Sequence, residues 1–186
     1  MSGLVEQCKK IIGYLWGKKG ELQDMDARDA LLAKVVLDIH RKRTQSDFVM
    51  VPLFSLLPIH PINRENALIA TQARIDTLTQ HRDELTEIKL LPRDILNRYM
   101  PSVSGIKTVR ISTGCHIAFE GNGRLYALQN VFNPGDGLVV EVEQYQFDNS
   151  NTICRRIERV RRTHGLDKIE CPEFSTTSTN DAKGLM

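Results

Sequence analysis

The chain has 186 residues, of which 41% are hydrophobic, enough to bury one sizeable core without a second full domain. Its 25 basic and 23 acidic residues leave a net charge of +2, which excludes a general electrostatic attraction to nucleic acids or membranes. Any such binding depends on a local patch. No segment reaches the roughly 20 apolar residues of a membrane span, so we expect no membrane association.

The cysteines are spread over the chain without a CxxC or other metal-ligand spacing. They are Cys8, Cys115, Cys154 and Cys171. This distribution is typical of free, reduced thiols rather than of a disulfide framework or a metal centre. Together with the lack of a signal-peptide pattern, it predicts a soluble cytoplasmic protein.

The N-terminal part predicts two amphipathic helices. Residues 3–16 place apolar side chains on one helical face, and a second helix begins with Asp24 or Asp26 as its cap. The apolar stripe of the second helix comprises Leu31, Leu32, Val35, Val36 and Ile39. Its basic end at residues 40–43 complements the helix dipole, which favours a solvated helix end over a contact for an acidic partner. We assign residues 1–46 to an N-terminal helical extension.

The next segments predict a strand, a loop and two helices. Residues 48–53 are apolar and rich in β-branched side chains, which indicates a buried strand, whereas Pro58 and Pro61 predict an irregular loop at 56–61. A long helix is expected from Asn63 or Asn66 to about Lys89, followed by a short helix at 94–100. The apolar face of the long helix comprises Leu68, Ile75, Leu78 and Leu85.

The hydrophobic period changes within residues 107–132. Up to Phe119 apolar and polar residues alternate, which predicts two strands joined by a turn at 113–114. After Arg124 the apolar residues recur at helical spacing. The segment Glu120-Gly121-Asn122-Gly123-Arg124 therefore stands where a strand gives way to a helix.

Such a junction is suited to binding an anion. Gly121 and Gly123 permit tight backbone angles and close approach of a ligand. The first amides of a helix lack intrahelical partners, and the helix dipole places about half a positive charge there. Arg124 adds a forked donor that can hold a phosphate or carboxylate with two hydrogen bonds.

The remaining sequence predicts a strand, a basic helix and a tail. After a turn at 133–137, residues 138–147 predict a strand with Leu138, Val140 and Val142 inward. A helix at 152–164 has an apolar side and a side rich in arginine, which we interpret as a solvated face because no aromatic side chain is interleaved. We assign residues 47–166 to the main domain and 167–186 to a flexible tail.

This order of elements resembles the core of the ParB/sulfiredoxin superfamily over residues 48–148. In that superfamily a first strand similar to 51–53 leads into a segment similar to 57–60, and a later strand ends in a Gly-x-x-Arg turn before a helix containing Ala-Leu, as at 119–128. The resemblance implies an α+β fold, with a mixed sheet and flanking helices. It also implies a nucleotide or phosphate held by the amides of Gly121, Asn122 and Gly123 and by Arg124.

The resemblance also limits the chemistry. Sulfiredoxins carry a nucleophilic cysteine directly after the motif glycine, where this chain has Asn122, so we expect no sulfiredoxin activity. ParB partition proteins carry paired arginines and a following helix-turn-helix domain, whereas this chain has Arg124 alone and a short basic helix. The acidic-Gly-x-x-Arg turn of free serine kinases resembles 120–124 best. The catalytic glutamate of those kinases follows the histidine of the proline-rich segment, where this chain has Pro61.

A second family has a motif that shares several of these residues. His116 and residues 119–124 resemble the Fic motif of AMP-transferring enzymes, in which a histidine deprotonates the target hydroxyl and Gly-Asn-Gly-Arg binds the diphosphate. The aromatic residue of that motif is displaced by one place here, and Fic proteins set it between helices. His116 falls on the polar side of the predicted strand, which favours a solvent-facing or hydrogen-bonded side chain over a general base.

Three functions stay open on these resemblances. The first is phosphoryl transfer from ATP, ADP or CTP with Mg²⁺, with Glu120 or His60 acting on the acceptor and Glu120 available to the metal. The second is a non-catalytic regulator that binds a nucleotide, another phosphorylated small molecule or a nucleic acid. The third is Fic-like AMP transfer. Whether the chain is an enzyme is therefore left open.

Overall fold

One mixed β-sheet organises the part of the chain that the structure describes. The structure, a computed structural model, describes residues 26–112 and 114–166. The strands of this part are β1 (Gln45–Pro52), β2 (Leu56–Pro58), β3 (Leu90–Leu91), β4 (Lys107–Ser112), β5 (Cys115–Glu120) and β6 (Val139–Gln146). Its α-helices are α1 (Ala27–Lys42), α2 (Glu65–Gln80), α3 (Arg82–Ile88), α4 (Arg93–Tyr99), α5 (Asn122–Val131) and α6 (Ser150–Thr163). The fold is thus mixed α+β.

The sheet contains both parallel and antiparallel pairs. Its strand order is β1-β6-β4-β5-β2, and β3 pairs with β6 beyond the start of β4. The pairs β1–β6 and β4–β5 are antiparallel, whereas β2–β5, β3–β6 and β4–β6 are parallel. The hairpin predicted at 107–120 is confirmed, with a register irregularity between Lys107 and Thr108. Strand β5 ends beside the start of β4. The turn that follows β5 therefore lies at the ends of the strands, and helices cover both faces of the sheet.

The first hydrophobic core lies between one face of the sheet and helices α2 to α5. Its fully buried members include Leu53, Leu56, Leu91, Ile106, Leu125 and Leu128. The inward direction predicted for Val140 and Val142 is confirmed, since both side chains are buried in this core. Helix α5 consequently packs its apolar side against the sheet, and its first turn is held in a fixed position.

The second core lies on the opposite face of the sheet, under α1 and α6. Asp26 caps α1 by accepting from the Arg28 amide, and Val35 and Ile39 of α1 are buried against the sheet. Helix α6 contributes buried residues at the positions predicted to face inward, which are Ile153, Ile157 and Val160. Helix α1 lies in the sequence region that we assigned to an N-terminal extension, yet it packs directly on the central sheet.

Three predicted elements differ from the observed ones. Strand β1 is an edge strand, so Phe48 and Met50 are 58% and 43% exposed rather than buried. Residues 56–58 form strand β2 instead of an irregular loop, because Pro58 ends the strand at the sheet edge, where a missing amide is tolerated. The long helix is broken at His81 into α2 and α3.

Two further expectations concern cysteines and termini. Cys154 is free, but Cys115 is disulfide-bonded, so the prediction of free thiols is wrong at Cys115. The predicted helix at 3–16 and the tail at 167–186 also lie outside the described residues. Within 26–112 and 114–166, we find no helix with the length and apolarity that crossing a bilayer requires.

Candidate functional site

The turn after β5 depends on a glycine. Gly121 adopts a left-handed backbone with φ +82°, and α5 begins at the next residue. A Cβ atom at Gly121 would stand 2.9 Å from the Cα of Ile106, a backbone atom that cannot move aside. The N-cap residue of α5 is Gly121, and no side-chain cap is found at this helix start among the residues that the structure describes. The amide end of the helix is therefore available to an external acceptor.

The second glycine lets α2 approach this helix end. A Cβ atom at Gly123 would lie 3.0 Å from Nη1 of Arg74 and 3.3 Å from Oγ1 of Thr71. Both residues belong to α2, three positions apart, and thus share one face of that helix. The hydroxyl of Thr71, whose side chain is 2% exposed, finds no hydrogen-bond partner among residues 26–112 and 114–166.

Arg124 is buried but only partly satisfied. Its side chain is 2% exposed, and Nη2 donates to Oδ1 of Asn97 at 2.7 Å and to the carbonyl of Met100 at 2.5 Å. Its Nε and Nη1 groups have no hydrogen-bond partner in the described part of the chain. Burial lowers the pKa of Arg124, and the positive charges of Arg74 and Arg93 lower it further. The site therefore concentrates positive charge in a poorly solvated position.

The side chains around the turn define what we call the arginine cluster, which consists of Arg74, Arg93 and Arg124 together with Thr71. Helices α2, α4 and α5 each contribute one of the arginines. Among the described residues, none of the three arginines forms an ion pair with a carboxylate. Like charges brought together without counter-charge repel one another, and a bound anion relieves that repulsion.

Sequence reasoning identified Arg124 and the glycines but missed Thr71, Arg74 and Arg93. In the sequence these residues lie 27 to 49 positions before Glu120, the first residue of the turn, on helices with no motif of their own. Thr71 and Arg74 share a helical spacing, yet that spacing does not indicate which other element the helix contacts. Tertiary packing alone brings the cluster together.

Glu120 belongs to a different environment from Arg124. Its Oε1 accepts from Nε2 of His40 at 2.6 Å, and its Oε2 contacts Nζ of Lys107 at 2.7 Å. The His40 ring packs on Phe119 and Tyr145 in the second core. Burial alone would raise the pKa of Glu120, but the hydrogen bonds from His40 and Lys107 outweigh it and lower the pKa to about 2. Glu120 is thus an ionised structural carboxylate that connects α1 to the sheet.

These contacts bear on the expected magnesium ion. Both carboxylate oxygens of Glu120 are engaged by cationic or donor groups, and its partners lie on the second-core side of the sheet. Residues 26–112 and 114–166 contain no group of three or more His, Cys, Asp or Glu side chains arranged to hold a metal. Glu120 therefore does not fit the role of a magnesium ligand beside Arg124 in this arrangement.

His60 lies closer to the turn than its sequence position suggests. The amide of Ile59, one residue earlier, donates to Oδ1 of Asn122 at 3.3 Å, which ties the end of β2 to the start of α5. The imidazole of His60 itself contacts the Pro61 carbonyl through Nδ1 and packs beside the ring of His164. Burial lowers the pKa of His60. The structure brings the His60 loop to the turn, but it does not join Glu120 and His60 at Arg124.

His116 is a buried residue of β5 rather than a group at the turn. Its Nε2 pairs with Oε1 of Gln144 at 3.0 Å, in agreement with a hydrogen-bonded strand histidine, and burial lowers its pKa. The motif that it shares with Fic enzymes stands here between strand β5 and helix α5, not between two helices. We therefore do not propose Fic-like AMP transfer for this chain.

Two surface grooves lie away from the turn. The first, of about 410 Å³, runs along the ends of β4 and β6, and the second, of about 330 Å³, lies beside the first turn of α6. Neither is lined by a member of the arginine cluster.

The described residues define an α+β protein in which a glycine turn leads into three clustered arginines. Comparison with known proteins adds no relative, since no protein-family model matches the chain and no curated protein or solved structure does so.

Proposed function

We propose that this chain binds a nucleotide or another phosphorylated ligand at the arginine cluster. The observation that carries the proposal is Arg124, a nearly fully buried arginine whose Nε and Nη1 groups have no partner among the described residues and whose pKa is lowered further by the positive charges of Arg74 and Arg93. Burying a charge without a partner is costly, so a group of this kind is expected to have an anionic partner. Phosphate oxygens match the guanidinium fork with two parallel hydrogen bonds.

Several features favour phosphate over a single carboxylate. The uncapped first turn of α5 offers backbone amides and the positive end of a helix dipole. The unpartnered hydroxyl of Thr71 adds another hydrogen-bond donor nearby. Three arginines, a hydroxyl and helix amides together suit a ligand that carries more than one negative charge, such as the phosphates of ATP, ADP or CTP.

The order of strands and helices supports a ParB/sulfiredoxin-like fold as part of the same proposal. A strand, a short parallel edge strand, helices and a hairpin ending in Gly-x-x-Arg before a helix follow one another in the order expected for that superfamily. Binding is the function that we propose. The catalytic roles of Glu120 and His60 remain predictions, since the contacts of both side chains are made with other parts of the protein.

The proposal is tested by nucleotide-dependent thermal stabilisation of the full chain. ATP, ADP and CTP, with and without Mg²⁺, are added to wild type and to Arg74→Gln. A ligand at 100 times its Kd should stabilise wild type by about 2.7 kcal/mol, which raises Tm by about 5–11 °C. Loss of one charge-assisted hydrogen bond should weaken binding by about 10- to 100-fold in Arg74→Gln.

Arg110→Gln is the matched control, because it removes the same charge from an exposed arginine whose Nε donates to the Ser112 carbonyl. This variant should be stabilised as wild type is. Absence of stabilisation by all three nucleotides, or an equal response of the Arg74 and Arg110 variants, would refute a phosphate site at the cluster. Release of phosphate or transfer to an acceptor in the same mixtures would add catalysis to binding.

A further inference from the structure

The five arginines of α6 fall into two groups. Arg156 pairs with Asp38 of α1, and Arg161 is buried and donates to the Pro58 carbonyl, so both hold α6 in place. The other three are Arg155, Arg159 and Arg162, which we call the basic face. Their spacing of four and three residues aligns them along one exposed side of the helix. The arginine-rich side of this helix, predicted to be mostly outward, is therefore exposed at Arg155, Arg159 and Arg162, whereas Arg161 is buried.

Within residues 26–112 and 114–166, the arginines of the basic face stand without an ion-pair partner. Glu158 is the only acidic residue of α6 and stands three positions after Arg155 and four before Arg162, yet it pairs with neither. The positive charge of this face is consequently directed to solvent.

Helix stability does not account for the whole face. Cations near the last turn of a helix are stabilised by its dipole, which explains a basic residue at Arg162. Arg155 lies in the N-terminal half of α6, where the dipole offers no such gain. On the neighbouring helix α1, Lys34 and Arg41 are further exposed basic side chains, seven residues apart.

We propose that the basic face binds the phosphate backbone of a nucleic acid. A row of guanidinium groups on one helix face can contact successive phosphates, and arginine binds phosphate in two-point fashion. The helix carries no aromatic side chain, so it offers no platform for stacking bases. Binding should therefore be independent of base sequence and governed by salt. This surface is separate from the arginine cluster, which lies on the other face of the sheet.

The test measures anisotropy of a labelled oligonucleotide, single-stranded and as a duplex, with the full chain over a series of KCl concentrations. The variant Arg155→Gln/Arg159→Gln/Arg162→Gln should bind at least about tenfold more weakly than wild type at low salt. The slope of log Kd against log [KCl] should fall by about 2 for the single strand and about 3 for the duplex. Arg155→Gln alone should lower the slope by about 1.

The matched control replaces the same three arginines with lysine, which retains the charge and should retain most of the salt slope. Wild type that binds neither oligonucleotide, or a glutamine variant with an unchanged slope, overturns the proposal. So does a lysine variant that loses the slope as fully as the glutamine variant, or wild type that binds phosphatidylserine vesicles but no oligonucleotide. Nucleotide-dependent stabilisation should be the same in the triple variants as in wild type, which separates this proposal from the phosphate site.

Discussion

At the scale of single residues, Gly121 is required for two reasons, a positive φ and the lack of room for a side chain. Gly121→Ala combines left-handed strain with a contact of 2.9 Å to the Ile106 backbone, and we expect it to lower the free energy of unfolding by about 2–5 kcal/mol. Gly137→Ala is the control, because Gly137 has φ +66° but no atom within 4 Å of the added Cβ. It should lose only about 1–2 kcal/mol. Urea denaturation measures both; equal losses would contradict the proposed crowding at Gly121.

Glu120 makes stability depend on pH. Its pKa is lowered from 4.5 in the unfolded chain to about 2 in the folded protein. Between these values the unfolded state binds more protons, so stability is fully present above pH 4.5 and is lost as pH falls towards 2. With the side chain about a quarter exposed, this contribution should amount to no more than about 3 kcal/mol.

Urea titrations from pH 6 to pH 2.5 test this expectation with Glu120→Gln. The variant should lose stability at pH 6 and show a flatter decline on acidification than wild type. Glu87→Gln, which removes an exposed carboxylate that pairs with no cation among the described residues, serves as the control and should follow the wild-type curve. A Glu120→Gln curve parallel to that of wild type would contradict the role assigned to the His40–Glu120–Lys107 contacts.

Prediction of single residues succeeded for features that local backbone preferences determine, and it failed for features that tertiary contacts determine. The left-handed turn at Gly121 and the helix start after it follow from glycine, the change of hydrophobic period and Arg124. The environment of Glu120 does not, because His40 lies 80 residues earlier and no local pattern connects the two. The same holds for Arg74 and Arg93, which only the packing of α2 and α4 brings to Arg124.

At the scale of elements, amphipathic periodicity predicted most helices and strands. Helices α1, α4, α5 and α6 and strands β4, β5 and β6 lie within a few residues of the predicted limits. The errors arise where neighbours decide. An apolar run such as 48–53 indicates a strand but not its place in the sheet. Strand β1 lies at an edge of the sheet, and its side that carries Phe48 and Met50 is exposed to solvent. Strand β2 has three residues and depends on pairing with β5 for its existence.

Several elements contribute contacts to the junction of β5 and α5. Strand β2 contributes the Ile59 amide that fixes Asn122, and α4 contributes Asn97, which holds Arg124. Helix α2 approaches only because residue 123 lacks a side chain. A short Gly-x-x-Arg motif therefore predicts an anion site at this junction, whereas most of the side chains around it come from elements that the motif does not contain.

At the scale of the whole molecule, the sheet separates two hydrophobic cores, and a different set of helices covers each of them. Helices α2 to α5 cover one face and carry the arginine cluster, whereas α1 and α6 cover the other and carry the basic face. The sequence analysis placed α1 in an extension, because an amphipathic stripe at 27–42 does not reveal which surface it covers. The observed packing of Val35 and Ile39 instead makes α1 an integral layer of the fold.

This arrangement predicts that α1 is needed for global stability rather than for local order alone. Ile39 is fully buried against the sheet, so Ile39→Ala leaves a cavity and should lower the free energy of unfolding by about 2–5 kcal/mol. Ile69→Ala, at an exposed position on α2, is the matched control and should change it by no more than about 0.5 kcal/mol. Denaturation followed by far-UV circular dichroism and by tyrosine fluorescence should give one coincident transition in both variants. If α1 were a separate extension, Ile39→Ala would leave the main transition unchanged and add a second, earlier one.

Because the ion pair between Arg156 and Asp38 joins α6 to α1, loosening α1 should also weaken the support of the basic face, whereas the arginine cluster beyond the sheet should respond to nucleotides as in wild type.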